Sequence, residues 1–566
     1  DNCKSDFSIG IVDDVTYKSL EPVPIKTNNN AVEFLIYGYG SDGMVSASKD
    51  IMKITGNNTN AYVQGYFQYD SKKSGGVTKS HLRFSKDPIR STYYVEKPSL
   101  VMCTKESYLK QFKMLDGLKR NGIFILNTDK SKKQILSYLT PHDYNLLINK
   151  NIKFYIVDAN KLANDLGLGN KISSIMETIL FEIGHLMPFE FAVYKLKEDI
   201  EKKFGNKGND IVSKNLEAID KALDSLEIVE LPTKEKVEKE EKEPKNIFEV
   251  ISSGNGDNLK VSDFTKYEDG TYEAGLSKLE KRSITSEAPC WNPKNCIACN
   301  MCSFVCPHAV IRPFLLNEEE VANAPDSLKE DLIDANIKGE NLKFAIGISL
   351  PDCTGCGLCK NICPGRKGEK ALTFEKIEEL KKTKSEAYEY LFNKVTDKKV
   401  MNTSTVKGSQ FASPKFEFPG ACAGCGETPY LKLLTQLFGD NMMVANATGC
   451  SSIYSASLPT TAYSIPWANS LFEDNAEFGY GMKIADKTMK SRIQNLIENN
   501  LDKVSDKDKK VYENYLKEIT NETSNELYDI VDKTKIDGLK ELKDYIKRKS
   551  IWMIGGDGWA YDIGFA

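Results

Sequence analysis

Between residues 33 and 230 short apolar runs alternate with longer amphipathic stretches. EFLIYG, AYVQGYF and KFYIVDA read as strands, and the span from Ile172 toward His185 reads as a helix. Strand–helix alternation predicts an α/β domain with a mostly parallel sheet. The pattern then breaks. Residues 233–245, TKEKVEKEEKEPK, are almost wholly charged and read as a solvated linker. A small segment at 246–285 precedes a cysteine-rich region at 290–375, and 376–400 read as a charged helix and connector. A second α/β stretch opens near Phe416. Its Lys/Glu/Asp-rich tract, 484–548, has a helical composition suited to the domain surface. The last strand, SIWMIGG, runs straight into a turn. The predicted boundaries are 1–230, 231–285, 286–385 and 386–566.

Length and charge narrow the class. A chain of 566 residues is too long for one core and predicts about three to five domains. A net charge of −4 offers no basic field for nucleic acid. No apolar run approaches the ~18 residues of a membrane span. The first residues, DNCKSDFSIG, have neither an initiator Met nor a signal-peptide core, so the sequence reads as an internal excerpt.

Cysteine placement changes the picture most. Of 14 cysteines, only Cys3, Cys103 and Cys290 lie outside three tight groups. Bunching at gaps of two and three residues suits metal ligation in a reducing compartment, either the cytoplasm or an anaerobic organelle's matrix, rather than a secreted disulfide framework. Cys296, Cys299, Cys302 and Cys306 form C-x2-C-x2-C-x3-C before Pro307. Cys353, Cys356, Cys359 and Cys363 repeat the spacing before Pro364. Three thiolates of such a loop wrap three corners of a 4Fe–4S cubane, and the fourth reaches the neighbouring cluster. The expected sets are therefore Cys296, Cys299, Cys302, Cys363 and Cys353, Cys356, Cys359, Cys306. Ala298, Gly355 and Gly357 let backbone N–H groups approach the sulfurs. Zinc prefers two-plus-two spacing and fits poorly.

Two weaker signals follow. Cys422, Cys425 and Cys450 could supply three ligands of a further cluster, with no fourth nearby; a zinc ribbon fits the same spacing. Gly556-Asp557-Gly558 directly follows a strand, where a carboxylate can hold Mg²⁺ and glycine amides can approach a diphosphate. It is also a common turn. Gly38-Tyr-Gly40-Ser-Asp-Gly43 is a formal G-x-G-x-x-G between a strand and a helix. The acidic residue a dinucleotide fold places about 20 positions on is missing, so NAD fits poorly, although the turn can hold another phosphate.

In order along the chain, FSIGIVDDVTYKSL, YDSKKSGGVTKSHLRFSKDPIRS, EDGTYEAGLSKLEKRSI, NPKNCIACNMCSFVCPHAVIRPFLL, PDCTGCGLCKNICPGRKGEKAL, FPGACAGCGETPY, WANSLFEDNAEFGYGM and GGDGWAYDIGF resemble segments of the pyruvate:ferredoxin (flavodoxin) oxidoreductases, the single-chain 2-oxoacid oxidoreductases. The resemblance covers nearly the whole chain. It implies a multidomain α/β architecture with four parts: a coenzyme A-side gamma-type domain at 1–230; a linker and connecting domain at 231–285; an inserted two-cluster ferredoxin-like α+β domain at 286–385; and the start of a thiamine-diphosphate-binding α/β domain at 386–566. It implies oxidative decarboxylation of pyruvate to acetyl-CoA and CO₂, with single electrons passing through three 4Fe–4S clusters to ferredoxin or flavodoxin, in a homodimer of the full-length enzyme. Another 2-oxoacid, or a non-catalytic electron-transfer module, are the alternatives.

Residue by residue, the resemblance makes Cys422, Cys425 and Cys450 ligands of the third cluster, whose fourth lies beyond this sequence. It places Glu427, Cys450, Gly556, Asp557, Gly558 and Trp559 at thiamine diphosphate, with Asp557 on Mg²⁺. It places Gly40, Ser41, Asp42, Gly43, Met44, Lys72 and Asn215 at coenzyme A. Ser173 stands where the family more often has Asn, Ser46-Ala-Ser48 replaces a Gly/Asn-containing helix start, and PTTAYSIPWANS is shorter than the family loop. The catalytic residues, and the domain binding the pyrimidine, are expected largely outside this sequence, which alone is expected to be inactive. His142 and His185 read as structural, in apolar helical surroundings, and His308 as a hydrogen-bonding neighbour of the second cluster.

Overall fold

A computed structural model of the chain describes residues 5–23, 30–40, 42–169, 171–236, 246–457 and 459–562. Most of the charged linker, 237–245, lies outside the described residues. The chain divides into two compact units, residues 1–271 and 272–566.

The first unit is built on a seven-stranded sheet of order β2-β3-β1-β4-β5-β6-β7. Its strands are β1 (Val32–Tyr39), β2 (Tyr62–Tyr69), β3 (Val77–Ser85), β4 (Leu100–Cys103), β5 (Ile123–Asn127), β6 (Lys153–Val157) and β7 (Leu226–Val229). Strands β1, β4, β5 and β6 run parallel. Strands β2, β3 and β7 pair antiparallel, so the sheet is mixed where the alternation predicted a mostly parallel one. For β2 and β3 the cause is local: only the loop 70–76, with no helix, joins them, and a parallel return needs a crossover.

The parallel strands are covered on both faces, which explains their unbroken apolar runs. Phe34 and Ile36 of β1 point into one core with α1 (Met44–Asn58), α2 (Ser173–Gly184), α3 (Phe189–Phe204) and α4 (Asn209–Lys221). Leu35 and Tyr37 point into the other. One buried charge interrupts this. Arg83 on β3 is 1% exposed. Its Nε donates to Glu33 Oε1 at 2.9 Å, and its Nη atoms donate to Gln64 Oε1, Tyr93 O and Tyr94 O. Each guanidinium nitrogen thereby has a hydrogen-bond partner, which is the condition for burying the charge.

In the second unit, β8 (Glu287–Trp291), α5 (Met301–Phe304) and β9 (Ile311–Leu316) are repeated by β11 (Lys343–Ile348), α6 (Leu358–Ile362) and β12 (Leu372–Lys376). The halves interlock. β8 pairs with β12, and β11 pairs with β9 and with the short β10 (Ile333–Asp334). This is a ferredoxin-like module, and α7 (Ile377–Lys394) closes it with Ile377, Leu380, Ala387, Tyr388 and Leu391.

Beyond it, a three-stranded parallel sheet of order β14-β13-β15 joins β13 (Met442–Ala447), β14 (Trp467–Ser470) and β15 (Ser550–Ile554). Helices α8 (Thr428–Phe438), α9 (Cys450–Ser455) and α10 (Asn475–Glu498) accompany it. The 484–548 tract is helical, as its composition predicts, with its own core of Ile493, Ile497, Tyr512, Tyr515 and Leu527. No helix of the described residues is long and apolar enough to cross a membrane.

Candidate metal and cofactor sites

Two cavities open inside the ferredoxin-like module. Cys296, Cys299, Cys302 and Cys363 line the first, with Trp291, Phe344, Ile346 and Leu372. Cys306, Cys353, Cys356 and Cys359 line the second, with Val310, Ile311, Leu358 and Phe374. Each holds three cysteines of one motif and the last of the other. The interlocked halves force this, because β8 pairs with β12 and so carries the first loop to the end of the second motif.

The two loops share a backbone device. Ala298 and Asn300 have φ of 53° and 61°, and Gly355 and Gly357, at the equivalent places, 69° and 78°. These left-handed turns aim N–H groups at sulfur: Ala298 N donates to Cys296 Sγ and Gly355 N to Cys353 Sγ, both at 3.4 Å. Val310 N and Ala371 N donate to Cys306 Sγ and Cys363 Sγ at the same distance. Gly355 is required, since a Cβ would meet Thr285 Oγ1 at 2.5 Å.

Burial raises the thiol pKa of Cys296, Cys302, Cys356 and Cys359, and pushes that of Cys353 up to about 12. Four thiolates, buried or half-buried, facing one small space repel, and a metal centre is what makes all four ionised at once. The buried indole N–H of Trp291, in the wall of the first cavity, lacks a well-formed hydrogen bond and favours the Cys296 thiolate. Donor set, amides and apolar walls fit a 4Fe–4S cubane in each cavity. His308 lines the second cavity, its ring nitrogen 3.2 Å from Ala421 O. Burial lowers its pKa to about 4, so the neutral ring donates there.

Cys422, Cys425 and Cys450 lie where the second sheet ends. Cys450 opens α9 just after β13, and Gly556 follows β15. A Cβ on Gly556 would lie 4.0 Å from Cys450 Cβ. Glu427, the residue before α8, accepts a 2.7 Å hydrogen bond from Tyr454 Oη, and burial, then Asp557, raises its pKa. Trp559 folds over Gly555, where a Cβ would meet its ring at 2.5 Å. Glu427, Cys450, Gly556, Asp557 and Trp559 thus gather at the carboxyl ends of parallel strands, the usual ligand position in such sheets. Gly558 packs near Phe472. The 422–425 loop also reaches the second cavity: Gly424, φ 76°, donates its N–H toward Cys356.

The first unit's candidate residues divide. Gly40 and the 70–76 turn that bears Lys72 meet where Gly40 N donates to Gly76 O at 3.0 Å. Gly43, φ 88°, starts α1 against Ser173. Three side chains, however, are committed inward. Asp42 is buried, accepting from Tyr39 N, Met44 N and Thr104 Oγ1, so it braces the turn. Met44 lies in the core. Asn215 accepts from Ser174 Oγ at 2.8 Å and donates to Ile211 O. These three side chains are not free to meet a ligand. Ser41 lies outside the described residues.

Two histidines also correct their reading. His142 is paired with Asp116 at 2.8 Å near the surface, and His185 is an exposed left-handed helix cap. Besides His308, the buried histidine is His81, between Gln68 and Val95 N and stacked on Tyr94. Its position mid-strand among polar residues carried no signal of burial.

Residues 33–225 match the family model described as pyruvate ferredoxin/flavodoxin oxidoreductase, and residues 292–367 match a 4Fe-4S dicluster domain. The chain carries a pyruvate ferredoxin/flavodoxin oxidoreductase domain joined to a 4Fe-4S dicluster domain. Between them, residues 233–285 match a domain of unknown function. Among curated relatives, the pyruvate:ferredoxin oxidoreductase of Moorella thermoacetica is 43% identical over 99% of this chain and 50% of that protein. The pyruvate-flavodoxin oxidoreductases of Nostoc sp. and Klebsiella pneumoniae are 38% and 39% identical, with the same coverage. The chain therefore spans about half the length of these relatives.

Proposed function

We propose that this chain provides the electron-conducting and part of the cofactor-binding machinery of a pyruvate:ferredoxin or pyruvate:flavodoxin oxidoreductase. The reaction is pyruvate plus coenzyme A plus two oxidised one-electron carriers giving acetyl-CoA, CO₂, two reduced carriers and one proton. The observation that carries this reading is the pair of four-cysteine cavities with exchanged last ligands, found with the Gly556-Asp557-Gly558 turn in one unit. A plain electron-transfer module needs only the first of these.

Thiamine diphosphate supplies the carbon acid that accepts pyruvate, and three 4Fe–4S clusters supply single-electron acceptors. The chain's own residues have distinct tasks. Asp557 presents a carboxylate for Mg²⁺, and Gly556 and Gly558 leave their amides open to the diphosphate. Tyr454 fixes the Glu427 carboxylate beside the same turn. Cys422, Cys425 and Cys450 hold three corners of the third cluster. In the first unit, the Gly40–Gly43 turn at the start of α1, with the 70–76 segment that bears Lys72 beside it, is the part read as meeting coenzyme A.

Next to cysteines of the first cavity, Ile297 and Ile362 are exposed, and the exposed cations Lys294, Lys360, Arg366 and Lys367 lie close to them in sequence. Apolar residues with basic neighbours suit an acidic ferredoxin or flavodoxin, against a chain whose net charge is −4. The active species is read as a homodimer of the full-length chain, in the cytoplasm or the matrix of an anaerobic organelle. Pyruvate- and coenzyme A-dependent reduction of a one-electron dye by the anaerobically purified full-length enzyme tests the reading. Iron equal to two clusters with no pyruvate response would leave only the electron-transfer module.

A further inference from the structure

Lys432 is an internal charge without an anionic side-chain partner. It sits on α8, is 2% exposed, and comes from the helix that follows Cys425 and Glu427. Its Nζ donates to three main-chain carbonyls, Ser303 O, Phe304 O at 3.2 Å and Cys306 O at 3.4 Å. These carbonyls end α5, which carries Cys302 into the first cavity and leads to Cys306 in the second. Among the described residues, no carboxylate forms an ion pair with it. The charged neighbours that act on it are Cys306, Arg312 and Cys302. Arg312 is a like charge that works against the ammonium, softened by its own pairing with Glu417.

Carbonyl dipoles alone are a poor exchange for water around a buried ammonium. A cubane held by four thiolates carries net negative charge and gains one more on reduction, so a filled cavity supplies the missing counter-charge. Cluster potentials respond to such nearby charge and hydrogen bonding. We propose that Lys432 is the resident counter-cation of the second cluster, and that its charge, rather than its hydrogen bonds, raises the reduction potential of the cluster held by Cys306, Cys353, Cys356 and Cys359. The inference rests on the iron–sulfur reading of the cavities. Lys432 is not a ligand; it acts through the field it places between the two sites.

The test is EPR-monitored potentiometry of the anaerobically purified, iron-loaded full chain, with iron counted in every sample. Lys432→Gln keeps a donor for the carbonyls and removes the charge; Lys432→Arg keeps the charge. The expected result is a shift of about tenfold in the one-electron equilibrium of the second cluster toward the oxidised form in Lys432→Gln, about 59 mV, with Lys432→Arg close to wild type. Unchanged potentials in a fully loaded Lys432→Gln overturn the proposal while leaving the cluster reading intact. A colourless wild type overturns the cluster reading itself. Should Lys432→Gln fail to hold iron, Lys432→Asn, a smaller uncharged donor, takes its place: a lowered potential supports the proposal and an unchanged one overturns it.

Discussion

The exchanged ligands can be tested by pairing deletions. Cys363 belongs to the second motif but faces the first cavity, with Cys296, Cys299 and Cys302. Removing one of four thiolates exposes a cubane to loss of its iron, and alanine leaves no oxygen to take the sulfur's place. A 4Fe–4S cluster brings about four irons to its site. Cys299→Ala with Cys363→Ala takes two ligands from one cavity, so about four irons stay in the other. Cys356→Ala with Cys363→Ala takes one ligand from each, so neither site keeps its full set. The two double variants delete the same number of sulfurs, which isolates geometry from mere thiol count. Anaerobic iron and sulfide analysis, with EPR of the dithionite-reduced protein, reads the outcome. Of the two clusters in the ferredoxin-like module, the same-cavity pair should leave one intact and the cross-cavity pair neither, each judged against the wild-type iron count. The opposite pattern would show that each motif closes on its own cluster, and the geometry argued above would be wrong.

Three further outcomes follow from the packing. Gly365→Ala should strip iron from the first cavity, because at φ 62° the new Cβ would lie 1.8 Å from Glu369 O and force the loop after Cys363 to move; iron counts against a Gly368→Ala control, where φ is 88° but nothing lies within 4 Å, separate clash from strain. Arg83→Met should cost the first unit about 3 kcal/mol or more by leaving Glu33 buried and undercompensated, read as a lower thermal midpoint. Glu177 is buried on α2, and burial, then Asp50, pushes its pKa up to about 8. The folded form therefore holds its proton more tightly than the unfolded form, so this contribution is undiminished below about 4.5 and is lost as pH rises toward 8. Glu177→Gln should flatten the fall in stability across that window, measured by chemical denaturation.

The sequence was most readable where chemistry is local. The two four-cysteine runs, the Gly-Asp-Gly turn and the helical tract at 484–548 each announce themselves within a short window, and the structure brings them to definite places. What it hid depends on distant partners. Arg83 and Glu33 lie far apart in sequence and read as ordinary surface charges until β1 and β3 pair. Lys432 reads as one more cation on an amphipathic helix, and only the end of α5 gives it meaning. Asp42 and Asn215, read as ligand contacts, are consumed by Thr104 and Ser174. The antiparallel edge was hidden because β2 and β3 are strands by composition, and composition does not give direction.

Gly424 turns a bare α-carbon and an amide toward Cys356. Electron tunnelling weakens steeply with the thickness of intervening matter. With no side chain at this point, the gap between the loop of the third cysteine group and the second cavity is set by main-chain atoms, which rotamer motion does not alter. Should both sites hold clusters, the separation across that junction is thus fixed by the backbone.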